Sequence, residues 1–373
     1  MQRLVALKIS AARGTEHQAL AQLDHPHIVR VYDQRTLEDR GLRLLYMQFA
    51  PGGTLQDVVT LAAACRPALR SGAIVLQAID EALQRVGQVA PEETGARRRL
   101  KLATWSETVC RFGVPLAQAL DYAHREGVLH RDVKPANVLL TADGAPKLAD
   151  FNISFASPLA GATPTAYFGG SLAYMSPEQL EASHPRQTRR ADQLDARSDL
   201  YSLAVLLWEL LHGERPFRDD PSGSWSEMVD QLLEKRNPPS IHLPPDAPND
   251  LLAQRLRKVL TRALDPDLDK RPATGAQLAR EIYLCTQPQA WDLLFAPRDR
   301  WTDTLRRHPY VAYALAIMPP NMLAAFFNYW YNRQAIIEPL GPDAYAVFWY
   351  VIALINGTAF PIGLAVLVAV LWR

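Results

Sequence analysis

The 373-residue sequence predicts an α+β protein of two lobes, followed by two transmembrane helices. Short apolar stretches typical of strands fill residues 1–50, and amphipathic helical patterns dominate residues 105–285. Strands first and helices afterwards are typical of an α+β fold. Beyond residue 308, two stretches without charged residues each exceed the roughly 20 apolar residues that a bilayer-spanning helix needs.

The composition excludes several classes of protein. Hydrophobic residues make up 48% of the chain, which predicts a sizeable core, and the net charge of +1 argues against a nucleic-acid partner. The three cysteines (Cys65, Cys110 and Cys285) are far apart and lack metal-ligand spacing. They therefore predict a reducing compartment without a disulfide framework or a metal site.

The predicted small lobe, residues 1–50, is an incomplete β-sheet with one helix. Leu4–Ile9 carries a single lysine, Lys8, in an apolar run typical of a strand. Glu16–Leu23 has helical periodicity, and a His-Pro-His sequence ends it. Two further strands are expected at Ile28–Tyr32 and Leu42–Phe49, before the turn at Pro51-Gly52-Gly53.

Residues 61 to about 104 form a predicted insertion, with a helix over Ile74–Val86. Its basic run, Arg97-Arg98-Arg99, is interpreted as a solvated surface rather than a binding patch. The large lobe follows over residues 105–285. It begins with a helix over Ser106–Arg125, capped by Ser106, and contains a buried central helix over Asp199–Leu211.

The stretch LHRDVKPANVLL, Leu129–Leu140, carries the chemistry. Asp132, Lys134 and Asn137 lie at fixed offsets, and Asp150 follows after the hairpin turn Thr141–Gly144. A base, a cation and two oxygen ligands for Mg²⁺ are the groups that phosphoryl transfer requires. The alternative, that these carboxylates only stabilise turns, does not account for their spacing with the lysine and the asparagine.

Several motifs in this order resemble a bacterial, eukaryotic-type serine/threonine protein kinase domain over roughly residues 4–285. They are HRDVKPAN, DFN at 150–152, YMSPE at 174–178, SDLYSL at 198–203 and DKRP at 269–272. The sequences HRDVKPANVLL and GGSLAYMSPEQL are similar to those of planctomycete serine/threonine kinases. The resemblance implies a bilobal fold, ATP and Mg²⁺ as cofactors, and a protein hydroxyl as acceptor.

The resemblance also implies a role for each matching residue. Asp132 would orient the substrate hydroxyl, Lys134 would neutralise the γ-phosphate, and Asn137 with Asp150 would hold Mg²⁺. His130 is expected to be a core residue rather than an acid or base. The positions expected to bind ATP are Lys8, with its partner Glu16, the hinge residues Met47, Gln48 and Ala50, and Leu139 beneath the adenine.

Other matching residues are expected to support or regulate the site. Glu178 and Arg271 would form a structural ion pair, and Asp199 would brace the catalytic loop. Thr163 and Thr165 are candidate phosphorylation sites of the activation loop, for which Arg131 would be the receptor.

Two departures from the family pattern bear on activity. No GxGxxG sequence precedes Lys8, so we expect that the chain is truncated before the glycine-rich loop; the alternative is a protein that lacks this lid. Asn152 replaces the glycine of the DFG motif. Asparagine tolerates left-handed backbone geometry, so magnesium binding at Asp150 is expected to survive.

The C-terminal region is predicted to anchor the protein. A linker over residues 286–308 leads to spans at residues 309–331 and 344–372. The alternative is a buried helix pair in a soluble fold, but aromatic residues near the ends favour a bilayer. Arginines precede the first span (Arg298, Arg300, Arg306 and Arg307), which predicts a cytoplasmic kinase domain at the bacterial inner membrane.

The leading hypothesis is a membrane-anchored serine/threonine kinase that acts on proteins and self-associates to phosphorylate its own activation loop. A pseudokinase scaffold at the membrane is the alternative, and it is motivated by the missing glycine-rich loop. A small-molecule kinase of the same fold is disfavoured by Lys134 and the YMSPE segment.

Overall fold

The computed structural model describes residues 4–11, 23–92, 94–151, 171–219, 222–237, 239–295 and 308–371. The chain divides into two compact units, Met1–Leu294 and Phe295–Arg373. Glu16, Asn152, Thr163 and Thr165, and the arginines before the first predicted span, lie outside the described residues.

The first unit begins with a three-stranded antiparallel sheet in the order β1-β3-β2. Its strands are β1 (Val5–Ala11), β2 (Val31–Leu37) and β3 (Leu42–Gln48). Lys8 pairs with Leu45 of the central strand, and Met47 pairs with Ala6. The strand predicted at Ile28–Tyr32 was wrong in its limits, because Ile28 instead forms an isolated bridge with Leu148 of the large lobe.

Helices make up most of the remainder of this unit. They are α1 (Leu55–Ala64), α2 (Gly72–Arg85), α3 (Gly95–Lys101), α4 (Trp105–Arg125), α5 (Pro177–Ser183), α6 (Ala196–His212), α7 (Trp225–Arg236), α8 (Leu251–Ala263), α9 (Gly275–Cys285) and α10 (Pro288–Phe295). A hairpin of β4 (Val138–Leu140) and β5 (Pro146–Leu148) follows α4. Strands followed by helices confirm the predicted order of the α+β fold.

Helix α6 is the centre of the large lobe, as its nearly all-round apolar sequence predicts. Leu203, Val205 and Leu207 are fully buried, and α4, α8 and α9 all pack against it. Trp105 at the start of α4 donates its indole N–H to the carbonyl of Leu210, at 2.9 Å. The longest helix of the lobe is thereby fixed to the end of the central one.

The predicted cap of α4 was wrong by two residues. Thr104 is the N-cap, and it exchanges hydrogen bonds with Glu107 in a capping box. Serine and threonine both cap well, but only Thr104 has a glutamate three residues later. The Ser106 hydroxyl instead donates to Asp250 at 2.8 Å and joins α4 to the start of α8.

The second unit contains α11 (Pro309–Asn332), a π-helical turn (Arg333–Ile337), a short helical turn (Glu338–Leu340) and α12 (Pro342–Leu371). One described segment, Pro309–Leu340, is long and apolar enough to cross a membrane, with a mean hydropathy of 1.4. Within this unit Tyr329 stacks on Phe348, with ring centroids 5.8 Å apart. The second span stays a prediction.

Glu178 and Arg271 form the predicted ion pair, and both side chains are buried. Two hydrogen bonds of 2.7 and 3.0 Å join the guanidinium to the carboxylate and connect α5 to the segment before α9. Burial opposes ionisation, but these hydrogen bonds and the arginine charge outweigh it and lower the pKa of Glu178.

We expect Glu178→Gln to lower the free energy of unfolding by about 3–5 kcal/mol at neutral pH, because it leaves the Arg271 charge buried without a counter-ion. Urea unfolding measures this loss. The control Lys270→Gln breaks the exposed pair of Lys270 with Asp267 and should cost at most about 1 kcal/mol.

The pH dependence has a defined sign. A carboxylate whose pKa is depressed on folding stabilises the protein above its unfolded pKa, and this contribution disappears as the pH falls through the folded pKa. The stability difference between wild type and Glu178→Gln should therefore shrink below about pH 4.5, the ordinary glutamate value. A difference that stays constant down to acid unfolding would contradict this assignment.

Candidate active site

The backbone between α4 and β4 is held by one buried carboxylate. Asp199, in the first turn of α6, accepts hydrogen bonds from the amides of His130 and Arg131, at 2.8 and 2.7 Å. The ring Nε2 of His124, near the end of α4, lies 2.7 Å from the same carboxylate. Burial opposes ionisation of Asp199, but the two histidines and these donors lower its pKa.

Two residues of the site have left-handed backbone conformations, which residues other than glycine rarely adopt without support from their surroundings. Arg131 has a φ of 62° and Asp150 a φ of 57°, both in the left-handed region. Such geometry costs about 1–3 kcal/mol per residue and persists only when the surroundings impose it. For Arg131 that support comes from Asp199 at its amide and from the Gln179 side chain, which donates to its carbonyl at 3.1 Å.

Asp132, Lys134 and Asn137 are brought together as the sequence predicts. One Asp132 carboxylate oxygen lies 2.9 Å from both the Lys134 ammonium and the Asn137 side-chain nitrogen. The same amide also donates to the Asp132 carbonyl, at 2.8 Å. Both bonds go to the same carboxylate oxygen, and within the described residues no hydrogen bond is made to the other one.

Lys134 also contacts a residue that lies just before the YMSPE segment. Its ammonium donates to the hydroxyl of Ser171 at 2.6 Å. Ser171 is buried and begins the short turn that leads into the YMSPE segment. The lysine therefore joins the catalytic loop to the turn that leads into the YMSPE segment.

Asp150 lies beside Asn137 because β4 and β5 pair. The amide of Ala149 donates to the Asn137 carbonyl at 2.9 Å, which extends the hairpin by one step toward Asp150. The Asp150 carboxylate in turn receives the Lys8 ammonium at 2.8 Å. The pair of Lys8 and Asp150 thus connects the sheet with the end of the hairpin.

The donor set fits a magnesium ion. Asn137 donates through its amide nitrogen, so its side-chain oxygen is available, and Asp150 supplies a carboxylate. Mg²⁺ prefers such hard oxygen ligands and usually takes its others from phosphates and water. No cluster of three or more His, Cys, Asp or Glu side chains suited to a metal occurs in the described part of the chain.

The predicted adenine positions lie where the sheet meets the hairpin. Met47 and Gln48 end β3, and the Gln48 amide donates to Arg30 at 2.8 Å. Leu139 lies in the middle of β4 and bridges to Thr54, four residues after Ala50. These backbone bonds place the predicted hinge next to the predicted adenine floor.

His130 is a core residue, as expected. It is fully buried, and its ring lies tilted by 32° against that of Phe151, the residue after Asp150, with centroids 4.3 Å apart. Burial lowers the pKa of His130, so the ring is neutral at physiological pH. Sequence reasoning missed His124, whose only signal was a titratable side chain near the end of the helix that leads to the catalytic loop.

A family profile and several known proteins resemble much of this chain. The family profile "Protein kinase domain" matches residues 94–284. A probable serine/threonine-protein kinase of Streptomyces coelicolor is 31% identical over 278 residues, 74% of this chain and 33% of that protein. The serine/threonine-protein kinase PknB of Mycobacterium tuberculosis is 31% identical over 271 residues, 72% of this chain and 34% of its own.

The chain belongs to the protein kinase family, among the bacterial, eukaryotic-type serine/threonine kinases. It spans about a third of the length of the curated relatives it matches.

Asp199→Asn should lower the free energy of unfolding by about 3 kcal/mol, because it turns one acceptor of a buried three-donor site into a donor. Chemical denaturation measures this. The control is Asp195→Asn at the N-cap of the same helix, where asparagine caps as well as aspartate and the cost should stay below about 1 kcal/mol. Equal losses in the two variants would show that the three converging donors contribute nothing particular.

Proposed function

We propose that this protein transfers the γ-phosphate of ATP to serine or threonine hydroxyls of proteins. The observation that carries the proposal is the convergence of Lys134 and Asn137 on one oxygen of Asp132, next to the Asp150 carboxylate. Base, phosphate-binding cation and metal ligands are thus adjacent, and phosphoryl transfer depends mainly on such positioning.

Each residue has a defined task in this mechanism. Asp132 orients the acceptor hydroxyl and takes its proton with the oxygen that neither Lys134 nor Asn137 occupies. Lys134 holds the transferred phosphate. Its hydrogen bond to Ser171 fixes its position relative to the YMSPE segment. Mg²⁺, when bound, neutralises charge on the phosphate oxygens. Lys8 contacts the phosphates nearer the adenine, and Asn137 and Asp150 bind the metal.

The hinge residues Met47, Gln48 and Ala50 and the floor residue Leu139 bind adenine in this proposal. This assignment is supported by the backbone pairing of the hairpin with residues 52–54, which follow the hinge. The roles of Glu16, as the partner of Lys8, and of Thr163 and Thr165, as phosphate acceptors on the activation loop, rest on the resemblance alone. Trans-phosphorylation between two copies of the chain belongs to the same proposal.

Membrane anchoring by two spans completes the proposed function. Pro309–Leu340 is apolar and long enough to cross a bilayer, and the uncharged sequence 344–372 supports a second span. The arginines before the first span favour a cytoplasmic kinase domain at a bacterial inner membrane.

Asp132→Asn in the full chain should lower kcat for phosphorylation of a protein substrate by about 10²–10⁴-fold, the usual contribution of a general base. The KM for ATP should change little, because Asp132 does not bind the nucleotide. Exposed Asp246→Asn is the matched control and should retain wild-type kcat. If the folded wild-type chain neither binds Mg-ATP nor transfers phosphate, the proposal is wrong and a scaffold role is favoured.

Leu315→Arg combined with Leu323→Arg should disrupt insertion of the first span and lower the fraction of protein that stays in membranes after an alkaline wash. Each arginine near the middle of a span costs about 2.5–3.5 kcal/mol of insertion free energy. The control Leu102→Arg changes an exposed leucine of the first unit and should leave the membrane fraction unchanged. Wild-type protein that is fully soluble would contradict the anchoring proposal.

A further inference from the structure

Residues 71–104, called here the 71–104 segment, form most of the insertion predicted over residues 61 to about 104, and they pack closely against the proposed nucleotide site. Its two ends meet, because Ser71 bridges to Thr104 and the Gly72 amide donates to Ala103 at 3.1 Å. The segment is therefore a loop with paired ends; it contains α2 and α3 and leads directly into α4.

One side of the segment contacts the turn of the β4–β5 hairpin. Arg97 donates to the Ala142 carbonyl at 2.8 Å, and Thr94 donates to the Asp143 carboxylate at 2.9 Å. Gly144, with φ of 86°, lies so near Leu100 that a Cβ there would approach the leucine to 2.7 Å. The hairpin turn is thus packed directly against the segment.

The other side contacts the residues that follow the hinge. Arg85 donates to Asp57 of α1 at 3.2 Å. A Cβ on Gly53 would lie 2.9 Å from the Cβ of Ala82, so α2 closely approaches the turn after the hinge. Hinge and hairpin are themselves joined, because Gly52 donates to the Leu140 carbonyl and Leu140 donates to the Gly53 carbonyl, both at 2.9 Å.

Arg97 is the residue that ties these contacts together. Arg97 is only 7% exposed, whereas its neighbours Arg98 and Arg99 are exposed. One guanidinium nitrogen reaches both carboxylate oxygens of Asp80 in α2, at 2.7 and 2.9 Å, while another holds Ala142. The planar guanidinium thus uses two of its nitrogens on two different elements, which fixes their relative position as well as satisfying the charge.

We propose that Arg97, oriented by Asp80, is a positioning residue for the nucleotide. Through Ala142 it fixes the hairpin turn, and through the hairpin it holds Leu140, the neighbour of Leu139, against Gly52 and Gly53, which follow the hinge. The basic run Arg97-Arg98-Arg99 therefore contains one arginine that supports the adenine site from behind and two that face solvent. This inference rests on the proposed kinase function only for its effect on ATP.

The test compares Arg97→Ala and Arg97→Lys with Arg98→Ala in the full chain. Arg97→Ala should raise the KM for ATP about tenfold, which corresponds to about 1.4 kcal/mol of binding free energy, with kcat at saturating ATP changed less than about twofold. Arg97→Lys keeps the charge but has one nitrogen in place of the two that contact Asp80 and Ala142, so it should recover only part of the affinity. Arg98→Ala should match wild type.

A second control separates positioning from general stability. Arg262→Ala removes an ion pair with Glu281, of 2.8 Å, between α8 and α9. It should lower the melting temperature without raising the KM for ATP. An unchanged KM in folded Arg97→Ala, or an equal rise in Arg98→Ala or Arg262→Ala, would overturn the assignment.

Amide hydrogen exchange gives a readout that does not depend on activity. Arg97→Ala should accelerate exchange at the Gly52 and Leu140 amides, which join hinge and hairpin, and leave the central helix α6 unchanged. If the wild-type chain transfers no phosphate but these amides lose protection in Arg97→Ala, the kinase proposal fails and the structural role of Arg97 stands. Unchanged protection at both amides would refute that role whether or not the chain is active.

Discussion

The arrangement of the active site depends on the buried carboxylate of Asp199. It lies in the first turn of the central helix and accepts the amides of His130 and Arg131. A buried charge is stable only when hydrogen bonds satisfy it, and these backbone donors supply them. The need to satisfy Asp199 therefore fixes the loop, holds Arg131 at positive φ, and sets the direction in which Asp132 leaves the core.

The other polar groups of the site lie next to this loop, and each comes from a different secondary-structure element. Asn137 precedes the hairpin strand, Asp150 follows its partner strand, and Lys8 comes from the sheet of the small lobe. The ion pair between Lys8 and Asp150 is about two-fifths exposed, so it contributes little to stability and can exchange for phosphate and metal. By contrast, the buried pair of Glu178 and Arg271 is architectural.

The 71–104 segment shows how an added element can affect a site without touching the reacting groups. It closes on itself at Ser71 and Thr104, so the neighbouring helices keep their positions. Its helices cover the turn of the hairpin and the residues after the hinge, two segments that adjoin the residues proposed to bind adenine. A pattern of three consecutive arginines contained no sign that Arg97 differs from its neighbours, since only packing decides which guanidinium is buried.

The sequence by itself determined the family, the α+β order, the central helix and the identity of the catalytic-loop residues, because local spacing encodes these features. It also predicted the ion pair of Glu178 with Arg271, through the resemblance. Only the tertiary structure decided that Thr104 rather than Ser106 caps its helix, that His124 shares the carboxylate of Asp199, that Ser171 receives Lys134, and that Arg97 faces inward. These contacts join residues distant in the chain, and their partners are fixed by how helices and hairpin pack, which no local pattern records.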